Sequence, residues 1–235
     1  MMEEIIKNAR ELNKKQDRPH SCGFCGKSFV REESVVKHVC EQKRRHDQQD
    51  EPGVRLGHQA YVIFCKRNRI QKQSYTEFSS SPYYKAFVKF GRYAVTIRAI
   101  APDSLVKHLL DEKVKIDHWC RDTHYDKFVI QRLKVEPLKE ALERTVITMT
   151  TWAESHNSTW MHYFTEAAPS RLVYDTCAGR ISPWVWYCHK QAKARLGILS
   201  EQDLDQMGPY IDPDYWMVML SREPDNVNYV TELFK

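Results

Sequence analysis

Two cysteines separated by two residues, Cys22 and Cys25, are followed after a gap of twelve by His38, and this spacing constrains the chain more than any other feature. A stretch this short cannot bury enough apolar surface to hold its own fold, so something other than a core has to organise it. The C-x2-C spacing closes a tight knuckle that presents two thiolates to one tetrahedral ion. The gap to His38 is long enough for a short hairpin that turns into a helix and returns an imidazole to the same point. Phe29 and Val35 are placed to form the small apolar contact between hairpin and helix, which a module of this size completes only with metal.

The stretch CGFCGKSFVREESVVKHVC resembles a zinc finger of the two-Cys, two-His type. The resemblance implies a ββα module with Zn²⁺ as cofactor. The fourth ligand departs from the family, because Val39 and Cys40 follow His38 directly and the next histidine is His46. Side chains at i and i+2 of a helix point about 200° apart, so His38 and Cys40 share an ion only if the helix unwinds at Val39. His46 is placed worse, since eight residues of helix rise roughly 12 Å. The expected metal set is Cys22, Cys25, His38 and Cys40, with His46 and His20 in reserve.

The 235 residues suffice for one domain of ordinary size plus a small module, and 42% apolar residues can build its core. No run approaches the roughly 20 apolar residues that span a bilayer, and MMEEIIKNARELNKK has no apolar signal core. Seven cysteines, three of them in the finger, fit a reducing cytoplasm better than a disulfide framework. Cys65, Cys120, Cys177 and Cys188 read as small core residues. The expectation is a soluble cytoplasmic protein with no membrane partner.

The net charge of +5 is unevenly spread. Residues 51 to 101 hold nine Lys or Arg against Glu51 and Glu77, whereas residues 102 to 235 hold sixteen against twenty acidic residues. Positive potential therefore gathers on the finger and the segment after it, where an anionic partner would be steered.

Residues 1–18 read as an N-terminal helix, with Ile5, Ile6, Ala9 and Leu12 at helical spacing, and residues 19–46 as the finger. The polar stretch ending in Pro52 and Gly53 reads as a linker over 47–57. Residues 58–235 read as an all-helical domain, because helix starts recur at Pro82, Pro102, Pro137, Ser182-Pro183, Ser200 and Asp212-Pro213. The fold class expected is mainly α, a small ββα-type finger followed by that helical domain.

The blocks HVCEQKRR, LGHQAY, SPYYKAFVKFGRY, KIDHWCRD, GRISPWVWY and YIDPDYW span nearly the whole chain and resemble a group of proteins encoded by large T-even-type tailed phages. That resemblance implies phage origin and expression in the host bacterial cytoplasm, and it implies no activity. GRISPWVWY and the helical pattern are also similar, more weakly, to phage helicase-loading proteins.

Three functions can be weighed. In a base-reading finger the contacting positions would be Arg31, Ser34 and Lys37, although Glu32 and Glu33 oppose phosphate on the same turn. Lys43, Arg44 and Arg45 with Lys66, Arg67 and Arg69 would supply sequence-independent affinity, supplemented by Lys72, Lys85, Lys89 and Arg92. Tyr61, Tyr75, Tyr83 and Tyr84 would be able to stack on bases. This favours a nucleic-acid-binding accessory protein in phage replication or transcription, with DNA expected ahead of RNA. The alternative is an adaptor that recruits a polymerase or helicase, for which the six tryptophans are candidate contacts, though most of them read as core. An enzyme is the least favoured. Asp117, His118, Cys120, Asp122, His124 and Asp126 suggest a nuclease metal site, but they match no ligand spacing and read equally as a polar loop.

Overall fold

The computed structural model describes residues 18 to 235. The helix expected near the N-terminus lies outside them. The protein is mainly α, with one two-stranded sheet and fifteen α-helices among the described residues. The chain divides into two compact units, the first ending at Arg92 and the second running from Tyr93 to Lys235.

In the first unit, strands β1 (His20–Ser21) and β2 (Ser28–Phe29) pair antiparallel, His20 opposite Phe29 and Ser21 opposite Ser28. Gly26 closes the hairpin at φ +69, a left-handed conformation that glycine adopts without cost. Helix α1 (Glu32–Val36) follows, then α2 (Glu41–Asp47), α3 (Pro52–Arg67), α4 (Tyr75–Ser80) and α5 (Tyr84–Thr96), the last running past the boundary between units. Residues 52–57, expected as linker, are instead the first turns of α3. Pro52 starts that helix because its missing N–H is one of the groups a helix start leaves unpaired anyway.

Glycine explains how α3 and α5 pack. A Cβ on Gly91 would lie 2.0 Å from the Gly53 carbonyl oxygen, and one on Gly57 would lie 2.6 Å from that of Phe87. The two backbones touch there, and the pairing of Gly53 with Arg92 and of Phe64 with Tyr83 makes the helices antiparallel. Aromatic rings fill the remaining space, with Phe78 buried among His58, Tyr61, Tyr75 and Tyr84. Helix α4 adds the Ser74–Glu77 capping box that fixes its start.

The second unit continues with α6 (Pro102–Asp111), α7 (Asp122–Val135), α8 (Leu138–His156), α9 (Tyr163–Glu166), α10 (Pro169–Cys177), α11 (Pro183–Cys188), α12 (Lys190–Leu196), α13 (Glu201–Ile211), α14 (Pro213–Arg222) and α15 (Pro224–Leu233). Its core gathers Met149, Trp152, Tyr163, Phe164, Trp184, Trp186, Trp216 and Phe234. Five of the six tryptophans are buried, so they belong to packing. Of the polar stretch around Asp122, residues 119 to 121 are an irregular turn, but Asp122 begins a helix. This is α7, whose Tyr125, Phe128, Val129 and Leu133 recur at helical spacing and are buried. The helix that starts at Pro183 ends at Cys188, and extended backbone at His189 separates it from α12.

Candidate metal centre and basic face

The knuckle is built by two backbone hydrogen bonds, Cys22 N–H to the Lys27 carbonyl at 2.9 Å and Gly26 N–H to the Cys22 carbonyl at 2.8 Å. Helix α1 is only five residues long, with Lys37 as its C-cap, and residues 38 to 40 are not helical. The helix expected to unwind at Val39 ends already at Val36, and the non-helical chain after it brings His38 and Cys40 to the knuckle. Ligand atoms of Cys22, Cys25, His38 and Cys40 all lie within 4.8 Å of one another, and this group can hold a metal ion.

Two of the separations are close to those around one small ion. A tetrahedral centre with ordinary Zn–S and Zn–N bonds sets S···S edges of about 3.8 Å and S···N edges of about 3.6 Å. Cys22 Sγ to Cys40 Sγ is 3.7 Å and Cys25 Sγ to His38 Nε2 is 3.3 Å. Cys22 and Cys40 are buried, whereas Cys25 is exposed.

The surroundings favour anionic sulfur at Cys22. Backbone N–H groups of Cys25 and Phe24 lower the Cys22 thiol to about 7, so one thiolate forms near neutral pH. The Cys25 thiol is raised instead: the Lys27 backbone N–H pulls it down, but desolvation and the neighbouring Cys22 and Cys40 sulfurs outweigh that pull. Cys40 also caps α2, its Sγ accepting the Lys43 N–H at 3.4 Å. His38 packs against Phe29 with ring centroids 5.0 Å apart, which steadies the imidazole. His46 lies elsewhere, its ring 5.2 Å from that of Phe24, and His20 sits in β1. Among the described residues, Asp117, His118, Cys120, Asp122, His124 and Asp126 form no such group.

The finger is tied to the helices behind it by Arg45. Its guanidinium lies 4.4 Å from the Tyr84 ring centre and bonds the Ser79 carbonyl and the Glu41 carboxylate. The Tyr75 hydroxyl donates to the Arg45 carbonyl. No sequence pattern singled Arg45 out from Lys43 and Arg44. Its side chain is turned inward, and only Lys43 and Arg44 of that run stay exposed.

Arg31, Ser34 and Lys37 are exposed, but they sit on a helix of five residues, with Arg31 as its N-cap and Lys37 as its C-cap. That is roughly 7.5 Å of helix, too little to lay three successive contacts along a groove. Lys66, Arg67 and Arg69 are exposed at the C-terminal end of α3. Because α3 and α5 are antiparallel, they share that end of the pair with Lys85. Lys85, Lys89 and Arg92 line a groove of ≈ 390 Å³ with Arg44 and Glu41 of α2. Glu41 pairs with Arg44 at 2.7 Å and Glu51 with Arg92 at 2.8 Å, while Lys66, Arg69, Lys85 and Lys89 carry no ion pair among the described residues. Tyr61 and Tyr84, read from sequence as able to stack on bases, are buried. Of the four tyrosines Tyr83 is the exposed one.

No helix among the described residues is long and apolar enough to cross a membrane. No family model matches the chain, and neither a curated protein nor a solved structure matches it.

Proposed function

We propose that Cys22, Cys25, His38 and Cys40 hold one structural Zn²⁺, and that the first unit so organised binds nucleic acid through its basic face. The protein would then be an accessory factor of a tailed phage, acting in DNA replication or transcription. The donor spacing supports the metal most directly, since two of its separations match the edges of a zinc tetrahedron. Energetics agree. Half-buried Phe29 and Val35 contribute about 2–4 kcal/mol together, far below the cost of ordering the finger backbone. Zinc bound to a finger of this kind contributes on the order of 10 kcal/mol or more.

The nucleic-acid reading rests on the unpaired charge of Lys66, Arg69, Lys85 and Lys89, with Arg44 beside them. Such contacts act on phosphate and bind without reading sequence. The short α1 supports the same conclusion, since Arg31 is better placed to meet a phosphate than to lead a helix into a groove. The experiment is a titration of the purified chain against duplex DNA, single-stranded DNA and RNA, with zinc and with a chelator. Binding to duplex that weakens with salt and with metal removal is expected, and no binding to any of the three would refute the reading.

One observation favours the adaptor as a second reading. Val36 and Val39 are 80% and 93% exposed on the finger, with Phe24 and Val30 also open. A replication or transcription protein would cover these apolar side chains, and Val36→Asp with Val39→Asp would abolish its recruitment while sparing nucleic-acid binding.

A further inference from the structure

The second unit holds a cavity of ≈ 420 Å³ whose wall includes four arginines, Arg98, Arg144, Arg171 and Arg180. Their countercharges do not balance. Arg144 is neutralised, since Glu136 takes both of its terminal nitrogens at 2.6 Å. Asp175, whose side chain is fully buried, serves two arginines at once: Arg171 through Nε and Arg180 through a terminal nitrogen at 3.1 Å. It also accepts the Tyr163 hydroxyl at 2.9 Å.

Two glutamates on the wall do not supply the missing charge. Glu140 is bonded to Arg132 at 2.6 Å and Glu143 lies 3.8 Å from Lys139. Arg98 has no ion pair among the described residues. Arg98 and one of the two arginines on Asp175 are therefore left without a countercharge. Arg171 reaches Asp175 through Nε, and its side chain is 36% exposed. Between the arginines the wall is apolar, with Ala99, Ile100 and Ile147.

We propose that this cavity binds a nucleoside 5′-phosphate, its phosphate held by Arg98 and Arg171 and its base lying on Ile100 and Ile147. A phosphate monoester carries between one and two negative charges near neutral pH, which answers the two uncompensated arginines, whereas a carboxylate carries one. Guanidinium groups bind phosphate oxygens in pairs, and a cavity of this volume is of small-molecule size. The same group is presented by a free mononucleotide or by the phosphorylated 5′ end of a strand. The site uses neither the metal nor the basic face of the first unit.

Arg180 is unsuitable for the test, because it also bonds the Ile97 carbonyl at 2.9 Å and stacks on Tyr174. Arg98 and Ile147 are exposed, and Arg98 sits at φ +49, a conformation asparagine tolerates. The experiment is a calorimetric titration of the full-length chain with adenosine 5′-monophosphate, adenosine and acetate. A second titration uses one single-stranded oligonucleotide with a 5′-phosphate or a 5′-hydroxyl. Saturable binding of the monophosphate is expected, with none of adenosine or acetate. Arg98→Asn and Ile147→Glu each weaken it about tenfold or more while the thermal unfolding midpoint stays put. Preference for the 5′-phosphate strand that disappears in Arg98→Asn assigns the site to strand ends, and no preference assigns it to the free nucleotide. Absence of monophosphate binding, equal binding of acetate, or affinity unchanged in both variants would overturn the proposal.

Discussion

The guanidinium of Arg45 stacks 4.4 Å from the centre of the Tyr84 ring, and this contact joins the metal module to the helices of the first unit. Cys40 caps α2 at one end and Arg45 anchors it five residues later, so the helix is held at both points. Arg45→Ala should lower the unfolding free energy of the first unit by about 1–3 kcal/mol, combining a desolvated cation–π contact with lost hydrogen bonds. Arg45→Lys should recover only part, because an ammonium lacks the planar fork. Denaturant unfolding followed in the far-ultraviolet reads both, and an unchanged midpoint in Arg45→Ala would dismiss the anchor.

Metal content separates the four ligands from their neighbours. The purified chain should hold one equivalent of zinc, lost in Cys25→Ala and in Cys40→Ser, while His46→Ala retains it. Zinc retained in Cys40→Ser and lost in His46→Ala would exchange the fourth ligand.

Gly91→Ala puts a methyl where only 2.0 Å separates its position from the Gly53 carbonyl oxygen. Neither partner is a flexible side-chain end, so α3 and α5 must move apart. A loss of about 1–3 kcal/mol or more is expected. Gly208→Ala meets no atom within 4 Å and serves as the control. Equal stability of the two variants would show that the helices do not touch.

His189 is buried between Phe164 and Phe234, and burial lowers its affinity for a proton. In the unfolded chain the imidazole protonates near pH 6.5, so the unfolded state takes up the proton first as pH falls. The second unit is therefore at full stability above about pH 6.5 and loses stability below it, down to the depressed folded value. His189→Gln should flatten that loss when unfolding midpoints are compared from pH 8 to pH 5. A variant that follows the same pH curve as the parent would remove His189 as the cause.

What the sequence could and could not disclose follows from how far each signal reaches. The candidate metal ligands are local, within nineteen residues, and the 200° argument required the helix to give way between His38 and Cys40, whereas it ends earlier still, at Val36. Proline starts were equally readable, because their effect is confined to the residues beside them. Helix α7 was hidden by the polarity of its first turn, although its buried residues keep helical spacing. The break at His189 carries no proline or glycine and is set by packing on Phe164 and Phe234. Arg45 acts through Ser79 and Tyr84, far along the chain, and no spacing rule separates an inward arginine from an outward one. The basic charge was visible, yet which side chains stay unpaired depends on partners such as Glu51 on Arg92.

The central claim, that the metal-organised first unit binds nucleic acid through unpaired charge, is tested most directly by the salt dependence of binding. Fluorescence anisotropy of the zinc-loaded chain on a mixed-sequence duplex gives the slope of log K against log salt. Replacing Lys66, Arg69, Lys85 and Lys89 with glutamine should flatten that slope by up to about 3.6 units, with similar losses on every sequence. A slope identical in parent and variant would show that this face meets no phosphate and would contradict the account.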